Sequence, residues 1–193
     1  IHERCSSQAA ARYKPLELNA DLVVALHAAA VDGSGMRSVF RSGSTEAITS
    51  GQHRYVCPLA SELPRLLDAH CRALQAAFGV WECHEVAALA LWSVCYLHLF
   101  SDANGRAARG LAYAILAAGG RVPTRADALV CFHNRFCKEA AFRRRYLDAL
   151  QGTTDSVGDT ANAEAFAPES VAALARIVAE ATDSVNHYAP PGA

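Results

Sequence analysis

Between His98 and Arg109 the chain sets an imidazole, the Asp102 carboxylate, a small-residue turn (Ala103, Asn104, Gly105) and two guanidinium groups, Arg106 and Arg109. Together these groups can hold and attack a phosphoanhydride. His98 can take a proton from an incoming hydroxyl near neutral pH. Asp102 can give a hard oxygen ligand to Mg²⁺ bridging two phosphates. Arg106 and Arg109, three residues apart in a first helical turn, can reach one anion. Two arginines are unfavourable at a helix N-terminus unless an anion joins them, so their place there points to a bound polyphosphate. Taken singly, each residue would read as a cap, a turn or a solvated face. Chance occurrence of all the polar, Gly and Phe positions at this spacing is on the order of 10⁻⁹ per starting point, which favours a function for the set.

The elements that must position these groups are legible on either side. His84 to Leu97 lacks Gly and Pro, and its apolar residues cover nearly the whole circumference, which predicts a helix buried all round at the domain centre. Gly105 to Ala118 resumes helical spacing until Gly119, Gly120 and Pro123. The motif is therefore expected at a helix-loop-helix joint. Asn104 is expected as N-cap of the second helix, and Phe100 as a core anchor for the loop. Ala103 and Gly105 allow a ligand close to the first-turn amides, where the helix dipole favours an anion.

These residues resemble the signature of the Fic (filamentation induced by cyclic AMP) family, H-x-F-x-[DE]-G-N-G-R-x-x-R. They match it at His98, Phe100, Asp102, Asn104, Gly105, Arg106 and Arg109, with Ala103 in place of Gly. Ala25 to Val31, Gly35 to Arg41, Ser61 to Phe78 and Arg143 to Leu150 resemble further family elements, so the resemblance covers roughly residues 20 to 180. It implies a protein adenylyltransferase that moves AMP from ATP to a Ser, Thr or Tyr hydroxyl of a target protein and releases pyrophosphate. In those roles His98 is the base and Asp102 holds Mg²⁺. Ala103, Asn104 and Gly105 line the anion hole, Arg106 and Arg109 grip phosphates, and Tyr146 lies where family members contact the base. Ala103 also occurs in the Doc-type phosphorylating branch and in the phosphocholine-transferring branch. Doc-type sequences, however, carry Lys at the place of Gly105 and lack the second Arg. The alternatives are transfer of UMP, phosphocholine or phosphate, and a nucleotide-binding scaffold without catalysis.

A hairpin, the family's flap, is expected between Arg41 and Pro58, with runs at Thr45 to Thr49 and His53 to Val56 around Ser50-Gly51-Gln52. Its edge can align a target peptide by backbone pairing, with Glu46, Ala47 and Ile48 as contacts. Many family members carry an inhibitory helix, [ST]-x-x-x-E-[GN], whose Glu pairs with the second motif Arg. Glu3 and Glu164 are the nearest candidates and both read as solvated surface, so no working internal brake is expected.

The expected fold is all-α, a Fic-type bundle of six to eight helices with one small β-hairpin. Residues 1–19 read as an N-terminal extension, 20–185 as the domain and 186–193 as a flexible tail. From the start at Ile1 instead of Met, a trimmed or processed piece is expected. Gln151 to Pro168 reads as a long loop ahead of a last helix running to about Val185. With 193 residues, 52% of them apolar, the chain can bury a substantial core. A net charge of −1 offers no nucleic-acid or membrane-surface signature. Seven cysteines without a C-x-x-C pair suit buried reduced thiols in a cytoplasmic protein, and zinc is not expected. The expected partners are ATP and a target protein; a homo-oligomer or a regulatory partner is compatible with the sequence.

Overall fold

A computed structural model describes residues 15–42, 47–50, 53–157 and 166–188. Seven α-helices occur among the described residues. They are α1 (Ala20–Ala30), α2 (Leu63–Ala77), α3 (Cys83–Leu97), α4 (Asn104–Ala118), α5 (Ala126–Lys138), α6 (Ala140–Val157) and α7 (Pro168–Asn186). Between α1 and α2, strands β1 (Ala47–Ser50) and β2 (His53–Val56) pair antiparallel, Ala47 opposite Val56 and Ser50 opposite His53. The all-helical class and the central buried helix expected from the sequence are observed.

α3 is the axis of the molecule because twelve of its fifteen residues are buried. Its N-terminus is closed by a capping box, in which the Glu82 amide donates to Glu85 Oε2 at 3.0 Å. α4, α7 and α2 pack around it, which is the environment an apolar surface without a polar stripe requires. Trp92 on α3 stacks on Tyr96 with ring centroids 4.9 Å apart, and α5 and α6 add Phe132, Phe136, Phe142 and Tyr146 to the core. α4 ends as its glycines predict. Gly120 adopts φ 66°, its amide donates to the Ala117 carbonyl, and the Arg121 amide reaches the Leu116 carbonyl at 2.8 Å, a Schellman closure.

The end of α6 departs from the loop that its composition predicts. The stretch from Gln151 was expected as loop, yet the helix runs on to Val157. Thr153, Thr154 and Ser156 return their hydroxyls to carbonyls four residues back, and Trp92 Nε1 donates to Thr154 Oγ1 at 3.0 Å. Packing on α3 overrides the low helix propensity of this polar run. No helix among the described residues is long and apolar enough to cross a membrane. Cys57, Cys71 and Cys83 are buried, and burial pushes the Cys71 thiol up to about 11.

Candidate active site

The joint between α3 and α4 is built from two left-handed residues. His98 ends α3 at φ 46°, ψ 56°, and Ala103 precedes α4 at φ 61°, ψ 8°. A non-glycine residue in this region costs energy and persists only where its surroundings hold it there. Asn104 does the holding. Its Oδ1 accepts the Phe100 amide at 2.9 Å and its Nδ2 donates to the Phe100 carbonyl at 2.7 Å, both buried. This corrects the expectation that Asn104 is the N-cap. Ala103 occupies that position without a side-chain bond, and Asn104, 4% exposed, begins the helix while its carboxamide pins the loop. The amides of Asn104 and Gly105 therefore stand at the helix start without intrahelical partners.

Phe100 is buried as the expected anchor, and the structure explains its firmness. The His27 ring stacks on it at 3.7 Å, and Phe40 packs at 5.7 Å. His27 is itself 1% exposed, with Nε2 3.0 Å from the Asp102 carbonyl and Nδ1 2.8 Å from Ser38 Oγ. A carbonyl only accepts, so the Nε2–H donates to it and ties α1 to the Asp102 turn.

Asp102 is exposed, with Oδ1 accepting the Ala103 amide at 2.6 Å and Oδ2 3.6 Å from Arg106 Nη2. No group of three or more His, Cys, Asp or Glu residues placed to hold a metal ion by itself occurs among the described residues. A single exposed carboxylate of this kind suits Mg²⁺ whose remaining ligands are water and substrate phosphate oxygens.

Arg106 also donates to the Ala30 carbonyl at 2.7 Å, at the end of α1. Arg109 is 9% exposed and donates through Nε to His133 Nδ1 at 3.1 Å. His98, Asp102, Ala103, Asn104, Gly105, Arg106 and Arg109 line one groove of about 450 Å³, within the roughly 300–1,000 Å³ of small-molecule sites. Phe136, Leu147 and Leu150 add apolar lining to the same groove, together with Tyr146, whose hydroxyl lies 3.6 Å from Cys95 Sγ. Arg143 adds a third guanidinium to the lining. The lining thus combines three guanidinium groups with apolar and aromatic side chains.

Of the expected flap contacts, Ala47 and Ile48 lie on β1, while Glu46 is outside the described residues, as are Glu3 and Glu164. The segment ahead of β1 meets the site through Arg41. Its amide donates to the Leu99 carbonyl at 2.9 Å, its Nε to the His98 carbonyl at 2.7 Å and its Nη2 to the Pro58 carbonyl at 2.5 Å. Sequence reasoning assigned no role to His27, Arg41 or His133, since each acts across a long stretch of chain. The only trace was that His27 and Arg41 lie in segments resembling family elements.

No curated protein matches the chain. Its fold resembles the crystal structure of a Fic domain containing signaling protein from Bacteroides thetaiotaomicron VPI-5482. The TM-score is 0.59 at 17% identity, covering 97% of this chain and 70% of that one. It also resembles a Fic family protein from Desulfovibrio desulfuricans G20, with a TM-score of 0.55 at 21% identity, covering 97% of this chain and 53% of that one. The profile of the Fic/DOC family matches residues 17–116, just over half of the 193 residues and the whole of the His98–Arg109 joint. The chain belongs to the Fic/DOC family.

Proposed function

We propose that this chain is a protein adenylyltransferase, moving AMP from ATP to a Ser, Thr or Tyr hydroxyl of a target protein. The observation that carries the reading is the mixed lining of one groove. His98, Asp102, the α4 N-terminus, Arg106 and Arg109 share it with the apolar side chains Phe136, Leu147 and Leu150 and with Tyr146. His98 takes the proton from the target hydroxyl as it attacks the α-phosphorus in line, and pyrophosphate leaves. Arg106, Arg109 and the first amides of α4 offset the charge on the leaving group. Mg²⁺, when held by Asp102 and substrate oxygens, adds positive charge against the phosphates. The edge of β1 at Ala47 and Ile48 pairs with the target backbone and presents its hydroxyl, and Tyr146 flanks the base.

A second reading, transfer of another phosphate-linked group such as UMP, phosphocholine or phosphate, is favoured by one feature. The Ala103 methyl lines the groove where the family signature has Gly. The deciding experiment incubates the chain and its His98→Ala variant with Mg²⁺ and α-labelled ATP, then follows label on itself or on lysate proteins by gel and mass spectrometry. The expected result is an added AMP mass that His98→Ala lowers at least roughly 100-fold, as loss of a general base does. Label from UTP, CDP-choline or γ-labelled ATP alone would support the second reading. Nucleotide binding with no transfer from any donor would point to a scaffold.

A further inference from the structure

Arg109 is the most buried charge in the groove, and its guanidinium is held on two sides. On one side lies Gly105, where a methyl group would come within 3.1 Å of Arg109 Nη1 and 3.5 Å of Nη2. Any side chain there would push against the guanidinium, so the bare backbone allows Arg109 to lie over the first turn of its own helix. On the other side stands His133 of α5, 3.1 Å from Arg109 Nε. A guanidinium has donors only, so His133 Nδ1 must offer its lone pair and the ring proton must sit on Nε2. The other end of the ring fits this assignment, since Nε2 lies 3.5 Å from Cys137 Sγ, a weak acceptor. The imidazole is thus neutral with one tautomer, and it is set by the arginine it holds.

We propose that His133 is a positioning residue for Arg109, accepting its Nε–H so that the two terminal nitrogens stay aimed into the groove at a polyphosphate. The proposal rests on the reading of this groove as a phosphate site. An Arg that swings among rotamers loses entropy when it grips an anion, whereas one already held by Gly105 and His133 loses less. Burial, followed by Arg109, Arg106 and Lys138, keeps the His133 imidazole below its ordinary range, consistent with a neutral acceptor at pH 7. The contribution is specific to the anion, because His133 is not among the residues that line the groove and its ring nitrogens meet that lining at Arg109 and Cys137.

Two measurements test it. The ¹⁵N shifts of the His133 ring in the full labelled chain, assigned by their loss in His133→Asn, should report a protonated Nε2 and a bare Nδ1. A protonated Nδ1 would overturn the assignment without reference to function. Calorimetric titration should then find ATP affinity about tenfold weaker in His133→Phe, the scale of one hydrogen bond to a charged group, with adenosine affinity unchanged. His133→Asn, which retains an acceptor near the Nδ1 position, should recover most of the ATP affinity. Equal ATP affinity in the Phe and Asn variants, or an equal loss for adenosine, would reduce His133 to a packing residue. If the parent chain binds neither ATP nor pyrophosphate, the phosphate reading of the groove fails, and the tautomer alone decides the fate of His133.

Discussion

Asn104 illustrates how one side chain carries a site it does not catalyse. With its carboxamide joined to both the amide and the carbonyl of Phe100, it closes the loop between two left-handed residues and holds His98 and Asp102 in one frame. Replacing it with Ala leaves two buried backbone groups without partners, at roughly 1–3 kcal/mol each. Asn104→Ala should therefore lose about 2–6 kcal/mol of stability in denaturant unfolding, and its transfer activity should fall in folded protein as well. Asn104→Asp retains only the acceptor and should fall between Ala and the parent. The residue type was conspicuous in the sequence. Its target was not, because a cap and a loop pin both use the Asn side chain and differ only in which backbone groups it reaches.

At the scale of elements, Arg41 connects the flap stem to the end of α3. The last carbonyls of a helix need donors, and Arg41 Nε serves that of His98 while Nη2 reaches Pro58 on the return limb beyond β2. One guanidinium thus spans the base of the strand pair and the backbone of the residue proposed as catalytic base. Arg41→Met, which retains much of the apolar stem, should raise amide hydrogen exchange in the flap stem around Pro58 and at the loop residues Leu99 to Ser101. Exchange in the middle of α7 should stay at its parent rate. Unchanged exchange in the stem would mean that the strand pair is held by its other contacts. The same scale explains the misread end of α6, where Thr154 is helical because Trp92 of α3 supplies a partner that no local rule contains.

Across the whole molecule, the buried group that bears most on acid stability is a histidine away from the groove. His70 is 1% exposed, neither ring nitrogen has a hydrogen-bond partner among the described residues, and the ring packs against Trp92 and Phe166. Desolvation lowers its pKa from 6.5 to about 4. The unfolded chain binds this proton first, so stability is fully present above pH 6.5 and is lost as the pH falls through about 4. The loss attributable to this residue is of order 3 kcal/mol. His70→Phe should remove that share of the acid dependence, measured as unfolding free energy at pH 7 and pH 4, whatever it does to stability at neutral pH. His84 and His133 are shifted the same way, chiefly by burial, so a shallower slope should remain in the variant.

What the sequence by itself determined is what depends on neighbours along the chain. This includes the helical class, the buried circumference of α3, the glycine stop of α4, the start of α7 at Pro168, and the His98–Arg109 joint that carries family membership. Periodicity, capping and spacing are local properties, so they survive in a linear reading. The tertiary structure alone decided which residues hold that joint in shape. His27 reaches the Asp102 carbonyl across 75 positions, Arg41 the His98 carbonyl across 57, and His133 the Arg109 guanidinium across 24. A lone His or Arg is ordinary until folding brings a buried donor to an acceptor. That pairing, fixed by burial and geometry and not by residue type, makes it part of the site.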